Sequence, residues 1–249
     1  MKRFMMFLAF IVFAAVNTRA AAFDEFASQI QGKAAAVIET RLNALAADLG
    51  GAIAQTNFHQ ASTIGGTLPG LDVGVHVGYK GVSSKNVILS EAKVSALTLP
   101  VLQVEIGIPV INLDVLARYA AIDNSSLTGG GLRYSVFKTI PADVTILGLY
   151  NTLNVTASGN EFSATVLTGS LGVNFKLPVV SPYVAVSMDS VTLTPDAAIT
   201  SYKGSASLTR LDAGINFGLI PFTYINIGGS YYLAEESSVG YRAGMGVKF

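Results

Sequence analysis

Charged side chains recur at alternate positions along much of this 249-residue chain. Asp72 and His76 are interleaved with Leu71, Val73, Val75, Val77 and Tyr79, and Glu105 lies between Val104 and Ile106. Asp114, Arg118, Arg133, Lys176, Asp189, Arg210, Asp212, Arg242 and Lys248 occupy comparable places in later segments. Residues two apart share one face of a strand, so these groups gather on a single side, with both signs present. Enclosed together they form structural ion pairs, because a charge without a partner is costly away from water. Lining a hydrated passage, the same set acts on solutes. Both readings stay open for the candidate lumen-lining residues Asp72, His76, Glu105, Asp114, Arg118, Arg133, Asp189, Arg210, Asp212 and Arg242.

Catalysis finds little support. The chain has two histidines and no cysteine. A barrel hydrolase needs a histidine within reach of a serine on its lipid-facing rim. His76 falls on the polar face, His59 falls in a link, and neither lies near a nucleophile motif. HExxH, Walker and EF-hand patterns do not occur. Tyr79-Lys80-Gly81 and Gly129-Gly130-Gly131 read as turn and strand-edge glycine usage. The expectation is a protein without enzyme activity, cofactor or metal.

The elements that carry these charges have a period of two from Leu71 to Phe249. Ten strand candidates are legible, although Val144 to Val155 is apolar on both faces and its register is ambiguous. Pro109, Pro141, Pro178 with Pro182, and Pro221 mark short turns, since proline fixes φ and donates no ladder bond. Longer or more polar links lie between them at 81–97, 122–129, 157–161, 194–205 and 235–238. Short periplasmic turns alternate with longer extracellular loops in outer-membrane barrels. Ten strands satisfy that parity when the C-terminus is periplasmic, and twelve are the alternative.

Mean hydropathy is +0.50 with only 13% charged residues, yet no segment after the leader approaches 18 unbroken apolar residues, which excludes helical membrane spans. Closed barrels are the other structures that satisfy every backbone group in lipid. A soluble β-sandwich or lipocalin-like barrel would turn the apolar face inward. Here the polar faces are rich in glycine and small residues, a poor soluble surface but a suitable tight lumen. The fold class expected is all-β, a transmembrane antiparallel β-barrel over 71–249.

Before the barrel come two other segments. Lys2 and Arg3, an apolar run from Phe4 to Val16, and Ala20 to Ala22 form a signal peptide over 1–22; a retained anchor helix is the alternative. Removing it takes three of the 16 cations and none of the 16 acidic residues, leaving a net charge near −3 and no electrostatic case for nucleic acid. Residues 23–70 form an N-terminal helix and link. Apolar residues at spacings of three and four, from Phe23 to Leu49, predict one amphipathic helix. Asp24 caps it, Gly50-Gly51 ends it, an extended piece runs from Ala52 to Phe58, and a glycine-rich link follows. A ten-strand barrel has a radius of roughly 10 Å and a helix is about 10–12 Å wide, so the helix enters only where the wall is small. The glycines on the polar faces, among them Gly74, Gly78, Gly107, Gly172, Gly214 and Gly244, offer such a wall. The helix is read as a plug or periplasmic cap, with a helix lying on the inner leaflet as the alternative.

Val239 to Phe249 alternates apolar with glycine or cation and ends on an aromatic. With Tyr241, Met245, Val247 and Phe249 on one face, it resembles the C-terminal sorting signal of bacterial outer-membrane barrels. That resemblance implies the outer membrane of a Gram-negative bacterium, with the barrel-assembly machinery and the lipid bilayer as partners. Leu45 to Gly50 and Leu68-Pro-Gly-Leu-Asp-Val-Gly-Val-His-Val resemble barrels related to the long-chain fatty-acid outer-membrane transporters. This second resemblance implies an N-terminal hatch and a hydrophobic small molecule as cargo. The expected function is a channel or transporter for small or hydrophobic solutes; the alternative is a structural or surface-exposed barrel without a transport pore.

Overall fold

The computed structural model describes residues 26–157, 160–218, 220–233 and 239–249. The leader and the Asp24 cap lie outside them. Ten strands close into one antiparallel barrel: β1 Gly70–Gly81, β2 Ala96–Ile108, β3 Leu113–Ile122, β4 Ser125–Lys138, β5 Ala142–Ala157, β6 Asn160–Phe175, β7 Val180–Pro195, β8 Gly204–Phe217, β9 Thr223–Tyr232 and β10 Val239–Lys248. Each strand pairs with its sequence neighbours, and β1 pairs with β10 to seal the cylinder, Asp72 opposite Lys248 and Lys80 opposite Gly240. The twelve-strand alternative is thereby set aside. The piece 52–58 that would have supplied an eleventh strand is helical as far as Ala54.

Alternation sets the wall. Along β1 the even residues are buried and Leu71, Val75 and Tyr79 are exposed. The ambiguous stretch takes the register that turns Asp143, Thr145, Leu147, Leu149 and Asn151 inward, with Ile146 and Tyr150 outward. An exterior of exposed Leu, Ile, Val, Tyr and Phe around a barrel with no free edge is stable only against acyl chains. The chain has no Trp, so tyrosines and phenylalanines provide the aromatics at that surface. Tyr79, Tyr119, Tyr150, Tyr231 and Tyr241 lie toward one half and Phe137, Phe175, Phe222 and Phe249 toward the other.

The two barrel ends differ. At one lie 109–112, 139–141 and 176–179, the start of β1, and Phe249, whose N–H donates to Leu71 O at 2.9 Å. This is the turn end. At the other lie the longer connections 82–95 and 196–203. This is the loop end. The longer or more polar link expected at 122–129 is a tight polar connection, Asp123-Asn124, with β4 resuming at Ser125. Gly129 and Gly131 are strand-interior residues, not edge residues, because a side chain at either would collide with Asn151 or with the β5 backbone. Near the turn end a bulge between Ser135 and Phe137 shifts register. Val136 and Phe137 both face out and Lys138 turns back inward.

The N-terminal segment also differs from expectation. It forms two helices, α1 Phe26–Ile30 and α2 Ala35–Ala54, separated where Gly32 takes φ +71°, a left-handed turn open to glycine. A short α3, Val87–Glu91, sits in the first loop. Gly50-Gly51 does not end α2. Both glycines lie inside it because the wall comes too close for a side chain, Val191 against Gly50 and Lys80 against Gly51. Neither the inner-leaflet position nor a cap beneath the barrel is adopted. From Leu45 to Ala54 every residue of α2 except Ala47 is buried, within the loop half of the lumen.

Candidate functional site

The lumen is the candidate site, and it has two storeys. In the loop half, Leu42, Leu45, Leu49 and Ile53 of α2 share one apolar cluster with inward wall residues that include Leu97, Val101, Leu127, Leu153, Leu193 and Leu208. Small helix residues, Ala46, Gly50, Gly51, Ala52 and Ala54, let a helix fit inside ten strands. Two polar contacts fix its depth. Asp48, fully buried, accepts from Lys80 Nζ at 2.8 Å, from Asn86 Nδ2 at 2.7 Å and from the Ser83 N–H at 3.1 Å. The Tyr232 hydroxyl donates to Gly51 O at 2.7 Å.

Below α2 the chain continues through the turn half without regular structure, and its partners become polar. Four adjacent strands build the largest charge network. Arg210 Nε donates to Asp189 Oδ2 at 2.8 Å and its Nη1 to Asp212 Oδ1 at 2.5 Å. Arg242 Nη1 shares Asp212 at 3.1 Å, and Ser187 and Ser230 hydroxyls also donate to it. Arg242 Nε donates to the Tyr183 hydroxyl at 3.0 Å. Alternating signs with every carboxylate oxygen engaged is the arrangement that makes buried charge tolerable.

A second network joins β2, β3 and β4. Arg133 donates to Glu105 and lies 3.8 Å from Asp114 Oδ2. Both carboxylates also hold the N-terminal segment. Asp114 accepts the Ile64 N–H at 3.0 Å, and Glu105 accepts Gln60 Nε2 at 3.2 Å. A third group surrounds His59, which comes from the same segment. Its ring lies 4.4 Å from that of His76. Its Nε2 is 3.9 Å from Asp72 Oδ2 and 4.0 Å from Glu105 Oε2. The Tyr224 hydroxyl donates to Asp72 Oδ1 at 2.9 Å. Among the described residues no three His, Cys, Asp or Glu side chains are arranged to hold a metal ion.

Arg118 stands apart. Its three acceptors are neutral, the Thr56 hydroxyl and Asn57 Oδ1 of the N-terminal segment and Asn151 Oδ1 of β5 at 2.6 Å. Among the described residues no carboxylate pairs with it. Asn57 Nδ2 in turn donates to Thr168 Oγ1 at 2.7 Å, and Thr168 donates to Asp189 at 2.5 Å. The segment is thus tied into the wall's charge network through Asn57.

All ten lumen candidates read from the sequence are buried inside the barrel, each at 3% exposure or less. The structure divides nine of them among these three groups, and Arg118 adds a separate link to the N-terminal segment. Lys176 pairs with buried Asp143 at 2.7 Å while remaining partly exposed at the turn end. Lys248 reaches Gln60 Oε1 at 3.2 Å. Missing from the sequence reading are Asp48, Thr56, Asn57, Gln60, Lys80, Asn151 and Tyr224. Lys80 and Asn151 follow the alternation of their strands, and extending it four residues past His76 finds Lys80. Thr56, Asn57 and Gln60, beyond the helix, carry no periodic signal.

No family model matches the chain, and no curated protein matches it. Several solved structures are similar in fold. The β domain of the Bordetella autotransporter BrkA is 10% identical, covering 73% of this chain and 99% of that one, with a TM-score of 0.45. Ail of Yersinia pestis, solved in complex with the heparin analogue sucrose octasulfate, is 15% identical, covering 73% and 100%, with a TM-score of 0.37. A de novo designed transmembrane β-barrel is 15% identical, covering 76% and 100%, with a TM-score of 0.34. At these identities and TM-scores nothing is carried over from them, and the fold of a transmembrane β-barrel rests on this chain's own closed ten-strand sheet and apolar exterior.

Proposed function

We propose that the chain is a gated passage through the outer membrane, held shut by its own residues 35–66, for small amphipathic or hydrophobic solutes. One observation carries the reading: the lumen is filled by a segment from outside the barrel strands, in front of a wall prepared on both levels. In the loop half that wall is apolar apart from Lys80, which pairs with Asp48 of the helix. In the turn half it bears paired charges of both signs. With the segment displaced, an apolar chamber opens onto a polar one, which suits a solute with an apolar body and a polar head. The fatty-acid transporter resemblance points to the same cargo class.

A second reading, a structural or surface barrel without a pore, is favoured by the tight enclosure of α2. The two are separated by a lock. Asn43 Oδ1 accepts the Ser205 N–H at 2.7 Å, and the chain has no cysteine. Asn43→Cys with Ser205→Cys is the lock between α2 and the head of β8 under oxidation, the bond being established by thiol titration before conductance is read. In planar bilayers the reduced double variant is expected to show intermittent conductance that oxidation abolishes. Equal silence in both states would leave the structural barrel as the correct reading.

A further inference from the structure

The order in which the N-terminal segment meets the wall fixes the direction in which it runs. Phe26 packs on Phe162 near the start of β6, with ring centroids 5.4 Å apart. Asn43 meets Ser205 near the start of β8. Both strand starts are at the loop end. Further on, Gly51 meets Tyr232, and Asn57 meets Thr168 midway along β6. Last, the Ile64 N–H meets Asp114 near the start of β3, and the Val110 N–H, in the connection that precedes it, donates to Gly66 O at 2.9 Å. Both are at the turn end, where β1 then begins at Gly70.

The chain therefore enters its barrel from the loop end and leaves it at the turn end. It has crossed the full height of the wall before forming its first strand. The buried part of α2, Leu45 to Ala54, accounts for about 15 Å of that path at 1.5 Å per residue, about half of a bilayer core, and the irregular chain below it covers the rest. Turns of outer-membrane barrels are periplasmic and loops extracellular. Proteins secreted by a signal peptide reach the periplasm first, on the turn side.

We infer that the amino-terminal end of the mature chain is carried across the outer membrane inside its own barrel and emerges on the cell surface. The two ends of the protein then lie on opposite sides of the membrane, the C-terminus inside and the N-terminus outside. The physical demand is on assembly. Twenty helical residues with Leu42, Leu45, Leu49 and Ile53 buried against the wall cannot be inserted into a finished cylinder of this bore. The β1–β10 seam must close around the segment. This inference stands whether or not the barrel conducts.

Single cysteines test it, since the chain has none of its own. Ala35→Cys marks the exposed head of α2, Lys203→Cys the loop end, and Ile140→Cys, at a position 93% exposed, the turn end. Intact cells are treated with a maleimide carrying a polymer too large to cross the outer membrane. Heat-modifiable migration on gels establishes that each variant is folded. Ala35→Cys and Lys203→Cys are expected to label on intact cells, and Ile140→Cys only after permeabilisation. Labelling of Ala35→Cys that follows Ile140→Cys, in either condition, overturns the inference. A short epitope inserted between Ala22 and Phe23 gives a second readout. Protease removal of that epitope from intact cells supports surface exposure, and protection until the membrane is opened refutes it.

Discussion

Arg118 and Arg210 are both fully enclosed arginines, yet their environments predict opposite responses to the same substitution. Arg210 is bracketed by Asp189 and Asp212. Arg210→Met deprives two buried carboxylates of a partner, a loss of about 3–5 kcal/mol. Arg118 has only neutral acceptors, and two of the three keep other contacts without it. Thr56 Oγ1 donates to Ile53 O at 3.1 Å, and Asn57 Oδ1 retains Asn151 Nδ2 at 3.4 Å. Arg118→Met removes a buried cation that has no counter-ion and leaves few orphaned groups, so stability is expected to change by less than about 1 kcal/mol. Urea titrations of folding into lipid vesicles measure both. A large loss at Arg118 would show that its charge is balanced by something beyond these contacts. At this scale the sequence was informative only where a periodic element dictates the face. Asp72 through Arg242 could be assigned inward by counting alternate residues. Asn57 and Gln60 could not, because their segment has no repeat and its place is set by wall residues up to more than a hundred positions away.

Among the elements, α2 shows how a local rule yields to packing. A glycine pair after an apolar helical run ordinarily marks a C-terminus, and glycine within a helix costs about 1 kcal/mol against alanine. Here the pair stays helical because contact with the wall compensates for that cost. A Cβ on Gly50 would overlap the γ-carbons of Val191, a short branched side chain held in a strand. Gly50→Ala is therefore expected to destabilise by about 1–2 kcal/mol, overpacking exceeding the gain in helix propensity. Adding Val191→Ala makes room. The double variant should recover most of the loss, and a thermal-melting double-mutant cycle reads the coupling. Additive effects would mean that α2 does not lie against β7 at this point. The strands, by contrast, were legible apart from the register of Val144 to Val155 and the bulge after Ser135, because lipid on one side and a packed lumen on the other impose a period of two. The boundaries that the sequence misplaced, at 122–129 and 50–58, are those where glycine serves close approach instead of a turn.

At the scale of the molecule, the exterior must place the bilayer relative to the lumen. Leu211 lies midway along β8 and is 45% exposed. Ile220 belongs to the connection after it and is 65% exposed. By exposure alone, arginine should be tolerated comparably at both. By depth it should not. A cation on the lipid face costs about 2–4 kcal/mol at the bilayer midplane and about 0–1 near the interface. Leu211→Arg is expected to fall in the first range and Ile220→Arg in the second, read from urea-dependent folding into vesicles. The same midplane passes close to Arg210, the neighbour of Leu211 that faces inward and is bound by two carboxylates. One strand thus sets adjacent residues in opposite worlds, acyl chains on one side and paired charge on the other. Similar costs for the two substitutions would mean that the hydrocarbon core is not centred on the Arg210 network, and the division of the lumen into an outer apolar and an inner polar storey would then need a different relation to the membrane.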